Sequence, residues 1–249
     1  MNLSKYLTVS LTTHTNGSTE LIENTIASIR KNFLDIEDCK FVIYSDAKYS
    51  DENYHSHLEK LNNIQNVLVH SRPDGLQNNW INGVLESETP FVLNCEHDWI
   101  FLREIDTKVL IQSMLDYDFI NYVKFNLRDN HSAHKDNPGP KDACFWETYI
   151  EPEDRVKNQS LIKTNSIVGH PHIIRKEKIA RDWISIVNNK LPGVLGSVEV
   201  NLYDAYTLDI NRMGFNEAHK IWGVYNYGSL EDLAIIKHTG NDFVRGKIV

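Results

Sequence analysis

Two carboxylates and an imidazole, Glu96, His97 and Asp98, follow directly on the apolar residues 91–95 in the segment FVLNCEHDWI. An apolar run of that length reads as a buried strand, and a strand presents residues two apart to one side. Glu96 and Asp98 are therefore expected to offer two hard oxygen ligands together, just past the strand's end. Such ligands suit Mg2+ or Mn2+, ions that keep coordination positions open for substrate phosphates. The plain alternative for an isolated E-x-D is a solvated acidic turn.

The elements before the triplet decide between these. LTVSL (7–11) reads as a buried strand, broken by Asn16-Gly17. Ser18 can cap a helix in which Leu21, Ile22, Ile26, Ile29 and Phe33 recur at helical spacing. CKFVIYSD is a second strand ending at Asp46, residues 52–63 a further helix, and NVLVH a third strand. After the turn SRPDG, LQNNWINGVLES places Leu76, Trp80 and Val84 on one helical face, and PFVLNC is the fourth strand. Strands alternating with helices imply an α/β fold with a mostly parallel, doubly wound sheet flanked by helices. Ligands of such sheets bind outside the carboxyl ends of the strands. Thr12, Thr13, Asp46, Arg72, Glu96 and Asp98 then line one rim.

The second half changes character. KVLIQSMLDY predicts a helix and FINYVKF a strand, while residues 130–146 carry Pro, Gly and charge and read as a loop. SLIKTNSIVGHPHIIR is extended and interrupted. EKIARDWISIVNNK and SVEVNLYDAYTLDINRM predict helices, and KIWGVYNYG and LAIIKH close the chain as short strands. No internal repeat or linker divides residues 1–249, so one domain is expected, with a nucleotide-sugar half at 1–102 and an acceptor half at 103–249.

The ordered set resembles GT-A-fold glycosyltransferases, particularly the family-2-like group. LTVSLTTHTNGSTELIENTIASI is similar to that family's opening strand, nucleotide loop and first helix. FVIYSDAK is similar to its second strand, whose terminal Asp, here Asp46, meets the base of the nucleotide. SRPDGLQNNWINGVLESETPFVLNCEHDW resembles the Arg/Asn-rich helix running into the DxD motif, with Glu96 in place of the first Asp. The resemblance implies that Asp98 binds a divalent metal, Mn2+ or Mg2+, and that Glu96 contacts the sugar, the ribose or the metal. It implies a UDP- or GDP-sugar donor held by Thr12, Thr13, Asp46 and Arg72, with His14 in the nucleotide loop. It also implies a C-terminal His, here His238, on the metal or diphosphate.

Glycosyl transfer requires a base for the acceptor hydroxyl and neutralisation of the leaving diphosphate. GSVEVNLYDAY offers Glu199, following a plausible helix start at Gly196-Ser197, and Asp204 as the alternative. Their i, i+5 spacing puts them well apart around a helix. His170 and His172 flank Pro171 without an obvious third zinc ligand, and Arg175 offers a phosphate contact or a solvated charge. Trp80, Trp183 and Trp222 fit apolar faces, whereas Trp99 and Trp146 are offered for stacking on a sugar.

The expected function is an inverting, metal-dependent glycosyltransferase with a nucleotide-sugar donor and a carbohydrate acceptor. A non-catalytic sugar-nucleotide or glycan-binding module of the same fold is an alternative. A nucleotidyltransferase is another, against which TTHTNGSTE lacks a basic, Gly-rich phosphate loop. The formal charge of −8 argues against nucleic acid as partner. No apolar stretch is long enough to span a bilayer and no signal segment opens the chain, so a cytoplasmic, soluble protein is expected. Cys39, Cys95 and Cys144 are expected as reduced, buried thiols, and the sequons at Asn16, Asn130 and Asn158 as chance matches.

Overall fold

The computed structural model describes residues 1–13, 19–46, 52–72, 74–130, 151–152, 156, 159–167, 169, 170–188, 198–229 and 231–239. It divides into two compact units, Met1–Lys108 with Ile236–Val249, and Val109–Ile235. His14, the residues 131–150 with Cys144 and Trp146, and Gly196-Ser197 lie outside the described residues.

In the first unit the strands are β1 (Leu7–Thr13), β2 (Lys40–Asp46), β3 (Val67–Arg72) and β4 (Phe91–Glu96). They pair in the order β3-β2-β1-β4, and every pair is parallel. The connections are the helices α1 (Thr19–Asn32), α2 (Glu52–Leu61) and α3 (Gly75–Leu85). The expected apolar stripe of α1 is buried, from Leu21 to Phe33. A short β5 (Trp99–Phe101) pairs antiparallel with β11 (Ile236–His238).

The sheet has one apolar and one polar face. Register places Leu7, Val9 and Leu11 of β1 beside Phe91, Leu93 and Cys95 of β4, with Phe41 and Ile43 of β2 on the other side. The opposite row is Thr8, Ser10 and Thr12, beside Val92, Asn94 and Glu96. Helix α3 closes over this polar row through Gly83, where a Cβ would stand 2.0 Å from Ser10 Oγ. Trp80 and Val84 of α3 are buried as expected, but Leu76 in its first turn is exposed.

The second unit contains α4 (Thr107–Asp116), β6 (Tyr122–Lys124), β7 (Glu151–Pro152), β8 (Leu161–Lys163), β9 (His172–Arg175) and β10 (Val224–Tyr227). Its strands run β9-β6-β10-β8-β7, with β6 and β10 parallel and the other pairs antiparallel. An irregular helical run follows β9, with a π-helical middle at Ile179–Trp183. Helix α5 is Val198–Met213 and α6 is Phe215–Trp222. Trp222 stacks on both Trp183 and Tyr206, with ring centroids 4.9 and 5.0 Å away. Helix α6 differs from the strand expected at KIWGVYNYG. Phe215, Ala218, His219 and Trp222 are buried at i, i+3, i+4 and i+7, and only Val224–Tyr227 is strand. Gly223, at φ 58°, makes the break between them.

Candidate functional site

Each parallel strand of the first unit carries a predicted residue to its carboxyl end. β3 ends at Arg72, β2 at Asp46, β1 at Thr12 and Thr13, and β4 at Glu96. Register sets Asp46 opposite Arg72, Thr13 opposite Ser45, and Thr12 opposite Glu96. With strands about 4.8 Å apart, this rim is about 14 Å long. Thr12, Thr13 and Asp46 are buried, and Thr13 Oγ1 hydrogen-bonds the phenol of Tyr54 on α2. Sequence reasoning missed Tyr54, since nothing in ENYHSHLEKL marks one polar residue as reaching the rim.

Arg72 sits on the rim in a local clamp. Its Nη1 and Nη2 donate to the two carboxylate oxygens of Glu86 at 2.5 and 3.0 Å. The Tyr44 hydroxyl donates to the same carboxylate at 3.1 Å, and the guanidinium lies 5.7 Å from the Tyr44 ring centroid. The Arg72 hydrogen bonds hold the Glu86 carboxyl below its ordinary range, while burial and Glu86 push the Tyr44 phenol up.

Strand β4 stops at Glu96, so Asp98 lies in a turn and is not related to Glu96 by strand alternation as the sequence suggests. The turn is pinned from three sides. The His97 N–H donates to Thr12 O at 3.1 Å, and Thr25 Oγ1 donates to His97 O at 2.7 Å. The Asp98 carbonyl accepts from the backbone N–H and the hydroxyl of Thr239 at 2.8 and 2.9 Å. The β5–β11 pairing, with His238 opposite Trp99, brings His238 Nε2 to 3.0 Å from Asp98 Oδ2. Trp99 packs edge-on against His238 at 4.5 Å and is itself buried. It is therefore a wall behind the His and not the open platform for a sugar that its position in sequence suggests.

Two atoms of this pair, Asp98 Oδ1 and His238 Nδ1, are buried with no hydrogen-bond partner. A sealed carboxylate oxygen and a sealed imidazole nitrogen are costly unless something engages them. Both Glu96 and Asp98 add their charge to the burial that pushes the Cys95 thiol well up, so both carboxylates stand near it. Among the described residues no three His, Cys, Asp or Glu side chains gather closely enough to hold a metal, so Asp98 and His238 meet without Glu96 completing a triad. The free, buried state expected of Cys39 and Cys95 is observed.

In the second unit Glu199 lies in the first turn of α5, half-buried over Gly169, where a Cβ would stand 3.6 Å from its Oε1. Asp204 is exposed. His172 is buried, stacks on Tyr122 at 4.4 Å, and donates from Nδ1 to His170 O at 2.8 Å. Arg175 is half-buried and lines a cavity with Lys178, Arg181 and Lys220. Its Nη2 donates to the carbonyls of Met114, Tyr117 and Ile120, closing the end of α4. Asn130 is buried, with Nδ2 donating to the carbonyls of Tyr227 and Ser229, which rules out glycosylation of the folded chain there.

No family model matches the chain, and no curated protein matches its sequence. Its fold has solved counterparts. The chain is similar to S. aureus TarS 1-349, a GT-A-type glycosyltransferase, with a TM-score of 0.54 and 16% identity over 96% of this chain and 62% of that one. The UDP-GlcNAc complex of the same protein aligns with a TM-score of 0.54 and 15% identity over 92% of this chain and 58% of that one. A UDP complex gives 0.53 and 15%, covering 96% of this chain and 62% of that one. The chain thus spans about three fifths of the length of these structures. The fold is GT-A-like, α/β with parallel strands flanked by helices, as the sequence predicts.

Proposed function

We propose that the chain is an inverting, metal-dependent glycosyltransferase that uses a nucleotide-sugar donor, a UDP- or GDP-sugar, and a carbohydrate acceptor. The observation that carries this reading is the pairing of Asp98 with His238 beside a rim formed by the ends of four parallel strands. The solved counterparts with UDP and UDP-GlcNAc support it, because they share the fold.

Thr12, Thr13 and Asp46 form the nucleoside side of the rim in this reading. Asp46 is a short acceptor at the end of β2, suited to the N–H of a base. Arg72 and Glu96 contact the diphosphate and the sugar from the outer strands; the Glu86 clamp orients the guanidinium before substrate arrives. Asp98 and His238 are the residues that would hold Mn2+ or Mg2+, and their sealed Oδ1 and Nδ1 fit that role. Such an ion supplies charge neutralisation to the departing diphosphate. Glu199 is the proposed base that takes the acceptor hydroxyl's proton. Its half-buried place over Gly169 favours it over the exposed Asp204.

Calorimetric titration with UDP and with GDP, each with and without Mn2+, tests the donor site. Binding of one nucleotide, tighter with Mn2+, is expected; heat from neither in either condition sinks the reading. Glu199→Gln should keep nucleotide binding and lose transfer from the donor.

A further inference from the structure

FINYVKF places a lysine in an otherwise apolar strand. Lys124 ends β6 and is 6% exposed, and among the described residues it makes no hydrogen bond or ion pair. Its neighbours on the same sheet face are His172 of β9 and Asn226 of β10, both 2% exposed. Asn126 follows two residues on and is also buried. Asn126 Nδ2 and Asn226 Oδ1 are sealed with no partner of their own.

His172 adds no charge to this group. Its Nδ1–H is committed to His170 O, and burial brings its pKa to about 4, so the ring is neutral. Burial pulls the Lys124 amine down to about 7. An ammonium or an amide kept from water without a partner is costly. Buried groups perturbed in this way cluster at functional sites. The missing partner has a definite chemistry. A lysine and an Asn Nδ2 are donors and call for an oxyanion, while the Asn226 Oδ1 is an acceptor and calls for a hydroxyl.

We propose that Lys124, Asn126 and Asn226 form a subsite in the second unit for a carboxylate or phosphate borne on a hydroxylated molecule. It rests on the glycosyl-transfer reading only in naming that molecule as the acceptor, an acidic sugar or a sugar phosphate. Lys124 donates to the anionic oxygen, Asn126 Nδ2 donates beside it, and Asn226 Oδ1 accepts from a neighbouring hydroxyl. Binding an anion restores the ammonium, so affinity falls as pH rises above about 7 and the free amine loses its proton. Of the two register partners of Lys124, Asn226 does not titrate and His172 stays neutral throughout that range.

The test is thermal denaturation of the full chain with glucuronate and with inorganic phosphate, against sodium chloride at equal ionic strength. The wild type is compared with Lys124→Met and Asn126→Leu. Expected is a rise in Tm with one or both anions in the wild type, and affinity about tenfold or more weaker in Lys124→Met. Glucuronate alone identifies a carboxylate, and phosphate alone a phosphate ester. Lys124→Met without ligand should melt higher than the wild type, because the lone buried amine is gone. Equal anion responses in wild type and Lys124→Met overturn the proposal, as does a Lys124→Met protein that melts lower. UDP titration of the same samples separates the two readings. UDP binding without an anion response removes only this subsite; an anion response without UDP binding removes only the donor site.

Discussion

A lysine buried without a partner should make the fold's stability depend on pH in a window that ordinary surface lysines leave flat. In the unfolded chain the amine titrates near its ordinary 10.5, whereas in the fold it titrates at about 7. Between those values the unfolded state binds more protons, so stability rises with pH across the window and is flat below it. At pH 7 the penalty is on the order of 5 kcal/mol at most, since each pH decade between the two values is worth about 1.4 kcal/mol. Lys124→Met keeps a similar length, removes the charge and abolishes the linkage. Urea denaturation from pH 7 to 10.5 measures it. The variant should be the more stable protein at pH 7 by up to that amount, and its advantage should shrink steadily towards pH 10.5. A constant difference, or one that grows with pH, refutes the argument that this amine is buried alone.

Three further outcomes follow from the geometry. Gly83→Ala drives a Cβ to 2.0 Å from Ser10 Oγ and 3.2 Å from Ser10 Cβ, and should cost about 1–3 kcal/mol in chemical denaturation. Ser10→Ala alone should be near neutral, because its sealed hydroxyl has no partner, and it should recover part of the loss in the double variant. Asp98→Ala and His238→Ala should each weaken Mn2+-dependent UDP binding by about tenfold or more, with the double variant little worse than either; additive losses in calorimetry would argue that they do not share one ion. Arg72→Ala should change stability by less than about 1 kcal/mol, because the Glu86 pair is half exposed, while lowering nucleotide affinity; unchanged affinity removes Arg72 from the donor site.

Much of the first unit was legible because its elements declare themselves locally. Residues 7–11, 40–46 and 91–95 are apolar runs closed by turn residues, and the stripe from Leu21 to Phe33 has helical period, so strand, helix and parallel order followed from the pattern. The rim followed as well, because a parallel sheet puts every strand's carboxyl end on one edge. Helix α6 was missed although Phe215, Ala218, His219 and Trp222 carry its period, since the aromatic residues of KIWGVYNYG drew the strand boundary too early.

The linear chain by itself determined the α/β alternation, the polar residues at the strand ends and the acidic triplet, because each depends on neighbours within a few positions. Only the tertiary structure decided that Asp98 leaves the strand to meet His238, 140 residues on, that Trp99 backs this His, and that Glu86 claims Arg72. It also decided that Lys124 is buried, since burial belongs to the packed chain and cannot be read from any short window of it.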